Sequence, residues 1–205
     1  MATIRDLATQ ERSELADLLG ELTPPQWSMP SLCAGWAVRQ VVAHTIAYLG
    51  QSRSGLLVNM TRRRWDVDRL NAAALGDYAD VTPDHLVELV RDGIEPSGAG
   101  ALFGGRVALI ECLIHQQDIR RPLGMPRIID KDRLRVSLDY ARISPVIGGA
   151  RRTRGIRLTA TDMNWSAGRG PEVRGSGEAL LLAMTGRAAH LTDELDGDGV
   201  AMLGD

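Results

Sequence analysis

The run from Phe103 to Arg121 is apolar with a helical period, so it reads as a helix buried over most of its circumference, yet it carries Glu111 and His115. A spacing of four puts a carboxylate and an imidazole on one helix face about one turn apart, close enough to grip a single ion. Glu111 could pair instead with one of the chain's many arginines, but an unpaired buried carboxylate is costly and a metal removes that cost. A third group of the same chemistry is His44, on the earlier apolar stretch Val41-Val-Ala-His-Thr-Ile-Ala-Tyr48. A lone histidine on such a face is more often a satisfied core residue; the Glu111/His115 pair is what favours ligation. Two histidines and one glutamate fill three positions of a tetrahedral zinc site and leave the fourth open, the pattern of catalytic rather than structural zinc.

Composition fits a small-molecule partner. The 205 residues are 44% hydrophobic, enough for one domain or one domain with a small appendage, and a net charge of -2 gives no reason to invoke nucleic acid or an anionic membrane. No apolar stretch reaches the roughly 20 residues that span a bilayer. The opening Met1-Ala-Thr-Ile-Arg-Asp6 leads into an amphipathic pattern rather than a signal peptide, so the expected location is cytoplasmic. Cys33 and Cys112 form neither a Cys-x-x-Cys pair nor a disulfide framework.

Along the chain, Ile4 to Leu19 is helical in period, with Ile4, Leu7, Leu15, Leu18 and Leu19 roughly on one face and Gly20 as a stop. The segment from Thr23 to Gly35 reads as a long loop anchored by Trp27 and Leu32. A second helix is expected from Trp36 to Met60, its tail running into the charge run Arg62-Arg-Arg64. Thr82-Pro-Asp-His opens a third helix, with a hydroxyl cap and proline in the first turn, reaching about Gly93. Glu95 to Gly100 reads as flexible, and a fourth helix as Leu102 to Pro122. After residue 128 the pattern changes. Asp130 to Val146 is expected to be a helix, Gly155 to Asp162 a strand, Trp165 to Arg174 a second strand containing a Gly-Arg-Gly-Pro turn, Ser176 to Gly186 a short buried helix, and Asp198 to Leu203 a closing strand. The expected class is α+β: a metal-binding four-helix bundle over 1–128, then a small C-terminal α/β domain over 129–205.

Several motifs carry a family resemblance. Trp27-Ser-Met-Pro-Ser-Leu-Cys-Ala-Gly-Trp36 leading to His44, then Glu111-x-x-x-His115-x-x-Asp118 followed by Leu123-Gly124, resemble the two metal motifs of the mycothiol-dependent maleylpyruvate isomerase family of the DinB-like superfamily. The tail from Gly175 to Leu203 is similar to that family's small C-terminal domain. The resemblance implies a DinB-like bundle in which His44, Glu111 and His115 hold a divalent metal, usually zinc, with the thiol mycothiol as cosubstrate. A thiol at the open coordination position becomes a thiolate at neutral pH. That thiolate would add to the conjugated double bond of a maleylpyruvate-like substrate and permit cis-trans isomerisation, or displace a leaving group as an S-transferase would. The implied partners are a small-molecule thiol and a small electrophilic substrate.

Other residues divide between chemistry and packing. Asp118 either orients an imidazole as an acceptor behind the metal or serves as a cap or a partner of Arg121. Cys33 and Cys112 are expected to pack in the core. Trp36 and Tyr48 are candidates to line the cofactor pocket. Arg187 is, by the resemblance, a guanidinium that holds substrate carboxylates; the alternative is a helix-end arginine complementing the dipole. His85 and His190 read as surface residues. Two other functions compete: a hydrolase using zinc-activated water, and a non-catalytic metal- or ligand-binding protein of the same fold.

Overall fold

The computed structural model describes residues 2–62 and 75–204, which form two compact units, Met1–Pro126 and Arg127–Asp205. Its class is α+β: helices dominate, with one small three-stranded sheet.

In the first unit, α1 (Ile4–Glu21) starts at a reciprocal cap. Thr3 accepts from the Asp6 amide while Asp6 accepts from the Thr3 amide at 2.8 Å. Leu7, Leu15, Leu18 and Leu19 are buried as the period requires, and so, unexpectedly, are Glu11 and Arg12. The segment expected to be a plain loop contains a 3-10 turn, Pro24–Ser28, which buries Trp27. The second helix is shorter than its apolar pattern suggests. α2 (Val38–Gly50) ends where Gln51 turns extended, and α3 (Arg53–Arg62) begins afresh, with the Ser52 hydroxyl accepting from the Gly55 amide at 3.0 Å. A local serine cap competes with helix continuation, and Gly50 weakens it. Arg63 and Arg64 of the charge run lie outside the described residues.

α4 (Pro83–Asp92) keeps its expected cap, Thr82 accepting from the His85 amide, and buries Leu86, Val87 and Val90. Glu95 to Gly100, expected to be flexible, is packed instead: Pro96, Ala99 and Gly100 are buried and the Ala99 amide donates to Gln51 O at 2.9 Å. The fourth expected helix is also interrupted at its start. Phe103, Gly104 and Gly105 take successive positive φ values of 52°, 72° and 95°, so α5 runs from Arg106 to Arg120. Two glycines make this kink accessible, leaving the strain on Phe103 alone. α1 packs against α5 and α4, and α2 packs against the same two. Val107, Leu109, Ile110, Leu113 and Ile119 of α5 are nearly or fully buried between them.

In the second unit, α6 (Lys131–Ile143) is capped by Asp130, which accepts from the amides of Asp132 and Arg133. It is followed by the short α7 (Gly149–Arg152). The second expected strand is in fact two, β2 (Ser166–Gly168) and β3 (Glu172–Gly175), on either side of β1 (Arg157–Ala160). β2 pairs antiparallel with Leu158 opposite Ala167; β3 pairs parallel with Leu158 opposite Val173. The Gly-Arg-Gly-Pro segment therefore crosses from one edge of β1 to the other. A Cβ on Gly170 would lie 2.0 Å from Gly155 O, so only glycine fits this crossing. α8 (Gly177–Met184), capped by Ser176, packs on α6 with every residue but Glu178 buried. The expected closing strand is a 3-10 turn, Val200–Met202. Among the described residues no helix is long and apolar enough to cross a membrane.

Candidate metal centre

α2 and α5 bring three of the sequence-selected residues to one point. His44 Nε2 lies 3.9 Å from Glu111 Oε2, and His115 Nε2 lies 3.4 Å from the same oxygen, with side chains exposed by only 11%, 16% and 9% for His44, Glu111 and His115. The imidazoles meet edge to face, centroids 5.0 Å apart. His44 is flanked on its other sides by Trp36, centroids at 5.2 Å, and Tyr48, stacked at 6.0 Å. Tyr48 is there because it follows His44 by one turn. Trp36 is there because the loop before α2 is pinned: Met29 O accepts from the Val38 amide, Trp36 O accepts from the Ser31 amide, and the Ala37 amide donates to Gln40 Oε1.

Behind His115 stands Asp118, fully buried, with Oδ2 2.9 Å from His115 Nδ1. This contact is the one that the orienting reading of Asp118 requires. Cys33, expected to pack in the core, is only half-buried; its thiol donates to the same Asp118 oxygen at 3.1 Å. The reason is the chain path: the Leu32 amide donates to Asp118 O at 3.0 Å and lays the loop along α5. Cys112 is fully buried, and burial pushes its thiol up to about 11, so it is an inert core group.

Two carboxylates, Glu111 and Asp118, share the cluster with two imidazoles. His115's pKa is held well above its ordinary 6.5: burial opposes the charged form, but hydrogen bonds with Asp118, Cys33 and Glu111 and the Asp118 charge together outweigh it. A divalent cation at Nε2 would compete with that proton.

Among the described residues two donor sets are close enough to hold an ion, His44/Glu111/His115 and Cys33/His115/Asp118. Distances separate them. Nitrogen and oxygen ligands about 2.0–2.1 Å from a tetrahedral zinc stand roughly 3.3–3.4 Å apart. The 3.4 and 3.9 Å separations of the first set leave that room. In the second set, 2.9 and 3.1 Å are shorter than the separation of two ligands on one tetrahedral zinc, and a sulfur ligand at about 2.3 Å would need still more room. The first set fits a metal.

Arg187 belongs to the second unit, just beyond α8, where its guanidinium donates to Thr185 O and its amide to Leu182 O. His85, paired with Glu88, and His190 are exposed, as expected. The buried pair Glu11 and Gln116 was missed in the sequence; Gln116 Nε2 donates to Glu11 Oε1 at 2.8 Å and to Glu11 O at 3.0 Å. Nothing local in either helix signals a contact that joins residues 105 positions apart.

Fold and site together define a class: α+β proteins whose helical unit buries two imidazoles and a carboxylate at one point. Residues 8–95 match the family model described as the mycothiol maleylpyruvate isomerase N-terminal domain, so the family that the sequence resembles is the one the comparison returns. The matched segment contains Cys33, Trp36, His44 and Tyr48 and stops short of Glu111. Two solved structures, the mycothiol-dependent maleylpyruvate isomerase and a mutant of it with one histidine replaced by alanine, match 97% of this chain and 96% of theirs. Their TM-scores are 0.58 and 0.57 at 14% identity, a likeness of fold. No curated protein matches the chain.

Proposed function

We propose that the protein is a divalent-metal-dependent, mycothiol-using enzyme that isomerises a maleylpyruvate-like cis double bond or joins the thiol to a small electrophilic substrate. The observation that carries this reading is the meeting of His44, Glu111 and His115 at one shielded point, with Asp118 behind His115. α1, α2, α4 and α5 are then a DinB-like four-helix bundle, a fold in which metal sites are built between facing helices. His44 Nε2, His115 Nε2 and the Glu111 carboxylate would hold the ion, preferably zinc. Such an ion lowers the pKa of a thiol in its open position, so that the thiolate is present at neutral pH.

This chain's own residues supply the rest. Trp36 and Tyr48 shield the imidazoles and offer apolar surface to the cofactor. Asp118 holds the His115 ring. Arg187 is the group proposed to hold an acidic substrate through a bidentate guanidinium, and Arg187→Lys should weaken that substrate by about 1–3 kcal/mol while leaving a neutral one unaffected. The working compartment is the cytoplasm. Elemental analysis and turnover decide the main reading: about one divalent ion per chain and an absolute requirement for added thiol are expected. Turnover of an ester or amide without thiol would make the protein a hydrolase, and metal without any turnover would make it a binding protein.

A further inference from the structure

The hydrogen bonds behind His115 converge on one atom. Asp118 Oδ2 accepts from His115 Nδ1 at 2.9 Å and from Cys33 Sγ at 3.1 Å, and the carboxylate is fully buried. The thiol arrives from a loop 85 residues away in sequence, and that loop is itself fastened. The Cys33 amide donates to Ser31 Oγ at 3.1 Å, the Trp36 amide closes a turn onto Cys33 O at 3.0 Å, and the Leu32 amide holds Asp118 O at 3.0 Å. One short loop thus grips residue 118 by backbone and side chain together, and its end places Trp36 against His44.

We propose that Cys33 is a positioning residue for the metal centre: through the Asp118 carboxylate it fixes His115 in the tautomer that carries its proton on Nδ1 and turns Nε2 toward Glu111 and His44. The proposal rests on the metal reading above. Two donors on one carboxylate oxygen hold that oxygen toward the ring more firmly than the imidazole alone, and the ring orientation follows. A thiol suits the place because it is a weak donor, able to hold the oxygen without withdrawing the charge that His115 needs. At 3.1 Å from Asp118 Oδ2 the thiol stands at hydrogen-bond distance from the carboxylate, which assigns Cys33 the part of a donor and not of a ligand.

The test is zinc affinity of the folded full-length chain, measured by competition with a chromophoric chelator, beside the visible spectrum of the cobalt-substituted protein. Asp118→Asn should bind zinc about 10- to 100-fold more weakly. Cys33→Ala should lose several-fold and shift the cobalt bands, and Cys33→Ser, which restores a donor, should return both to within about twofold of wild type. Equal affinity and an unchanged spectrum in Cys33→Ala, with only the melting temperature lowered, would overturn the proposal and leave the metal reading standing. Cobalt bands showing a thiolate ligand that vanish in Cys33→Ser would overturn it too, since Cys33 would then ligate. Wild-type protein that takes up no zinc removes the metal reading itself. Should Cys33→Ala not fold, the decision passes to nitrogen-resolved NMR of zinc-loaded wild type. A slowly exchanging Nδ1 proton on His115, kept in Cys33→Ser, supports the proposal, and its absence refutes it.

Discussion

Helix α5 buries polar groups toward both of its large neighbours, and the two faces differ in kind. Toward α1, Gln116 donates twice to Glu11, while Arg12 reaches Gly93 O and lies 3.8 Å from Cys112 Sγ. The charges there, Glu11 and Arg12, are opposite, and the hydrogen bonds close on the protein. Toward α2, two carboxylates, Glu111 and Asp118, stand with two imidazoles, and nitrogens of His44 and His115 converge on the Glu111 carboxylate. Buried polarity alone therefore does not mark a site. The distinguishing feature is composition: one face buries a carboxylate and a guanidinium with an amide, and the other gathers two carboxylates and two imidazoles at one point.

The largest expected effect breaks the α2 side alone. His115→Ala should reduce bound metal from about one ion per chain to less than about a tenth, and Glu111→Gln should lose most activity; undiminished metal in the His115 variant by elemental analysis would erase the contrast between the faces. Next comes stability. Gln116→Ala leaves Glu11 short of a buried donor and should cost roughly 1–3 kcal/mol in chemical denaturation, equally with and without a chelator. In wild type the chelator should itself lower the melting temperature, because an ion held between two helices is linked to folding. A Gln116→Ala cost that depends on metal would show the two faces to be coupled.

The third effect sharpens the contrast through pH. The metal-free protein holds a proton on His115 to a pH above 6.5, and metal must displace it. Zinc affinity should therefore fall about tenfold per unit as pH drops below the raised pKa, and be flat above it. In the metal-free protein the sign of the stability effect follows the same shift. With the folded pKa above the unfolded one, the contribution of His115 is complete below about 6.5 and is lost as pH rises through the folded value. Chelated and zinc-loaded samples unfolded across that range would show a slope only in the former. The smallest effect is Cys112→Ser, which should keep activity within about twofold, since a fully buried thiol pushed up to about 11 takes no part in chemistry. Loss of turnover in folded, metal-loaded Cys112→Ser would bring the two faces of α5 into one site.

What could be read from the sequence was whatever repeats or caps locally. The period of α1, the Thr82-Pro83 start of α4, the run of α8 and the fourfold spacing of Glu111 and His115 each depend on neighbours within one or two turns. Asp118 was half legible, one turn beyond His115, although which of its partners it takes depends on tertiary structure. The break after Gly50 was hidden because α3 continues without a proline. The Phe103 kink had a signal, the pair Gly104-Gly105, but an apolar run on both sides masked it. The parallel pairing of β1 with β3 and the Cys33 contact were not legible, since each is chosen by packing between segments distant in the chain.

The bond from the Leu32 amide to Asp118 O has a kinetic side. It ties residues far apart in the chain, and closing a loop of that length spends chain entropy that the docking of α5 against α1 and α2 returns. The loop, and with it Cys33 and Trp36, should settle only after those helices have docked. Metal competence is then among the last properties the unit acquires on folding, and the first lost when α5 loosens. Zinc uptake during refolding would serve as a clock for that final docking step.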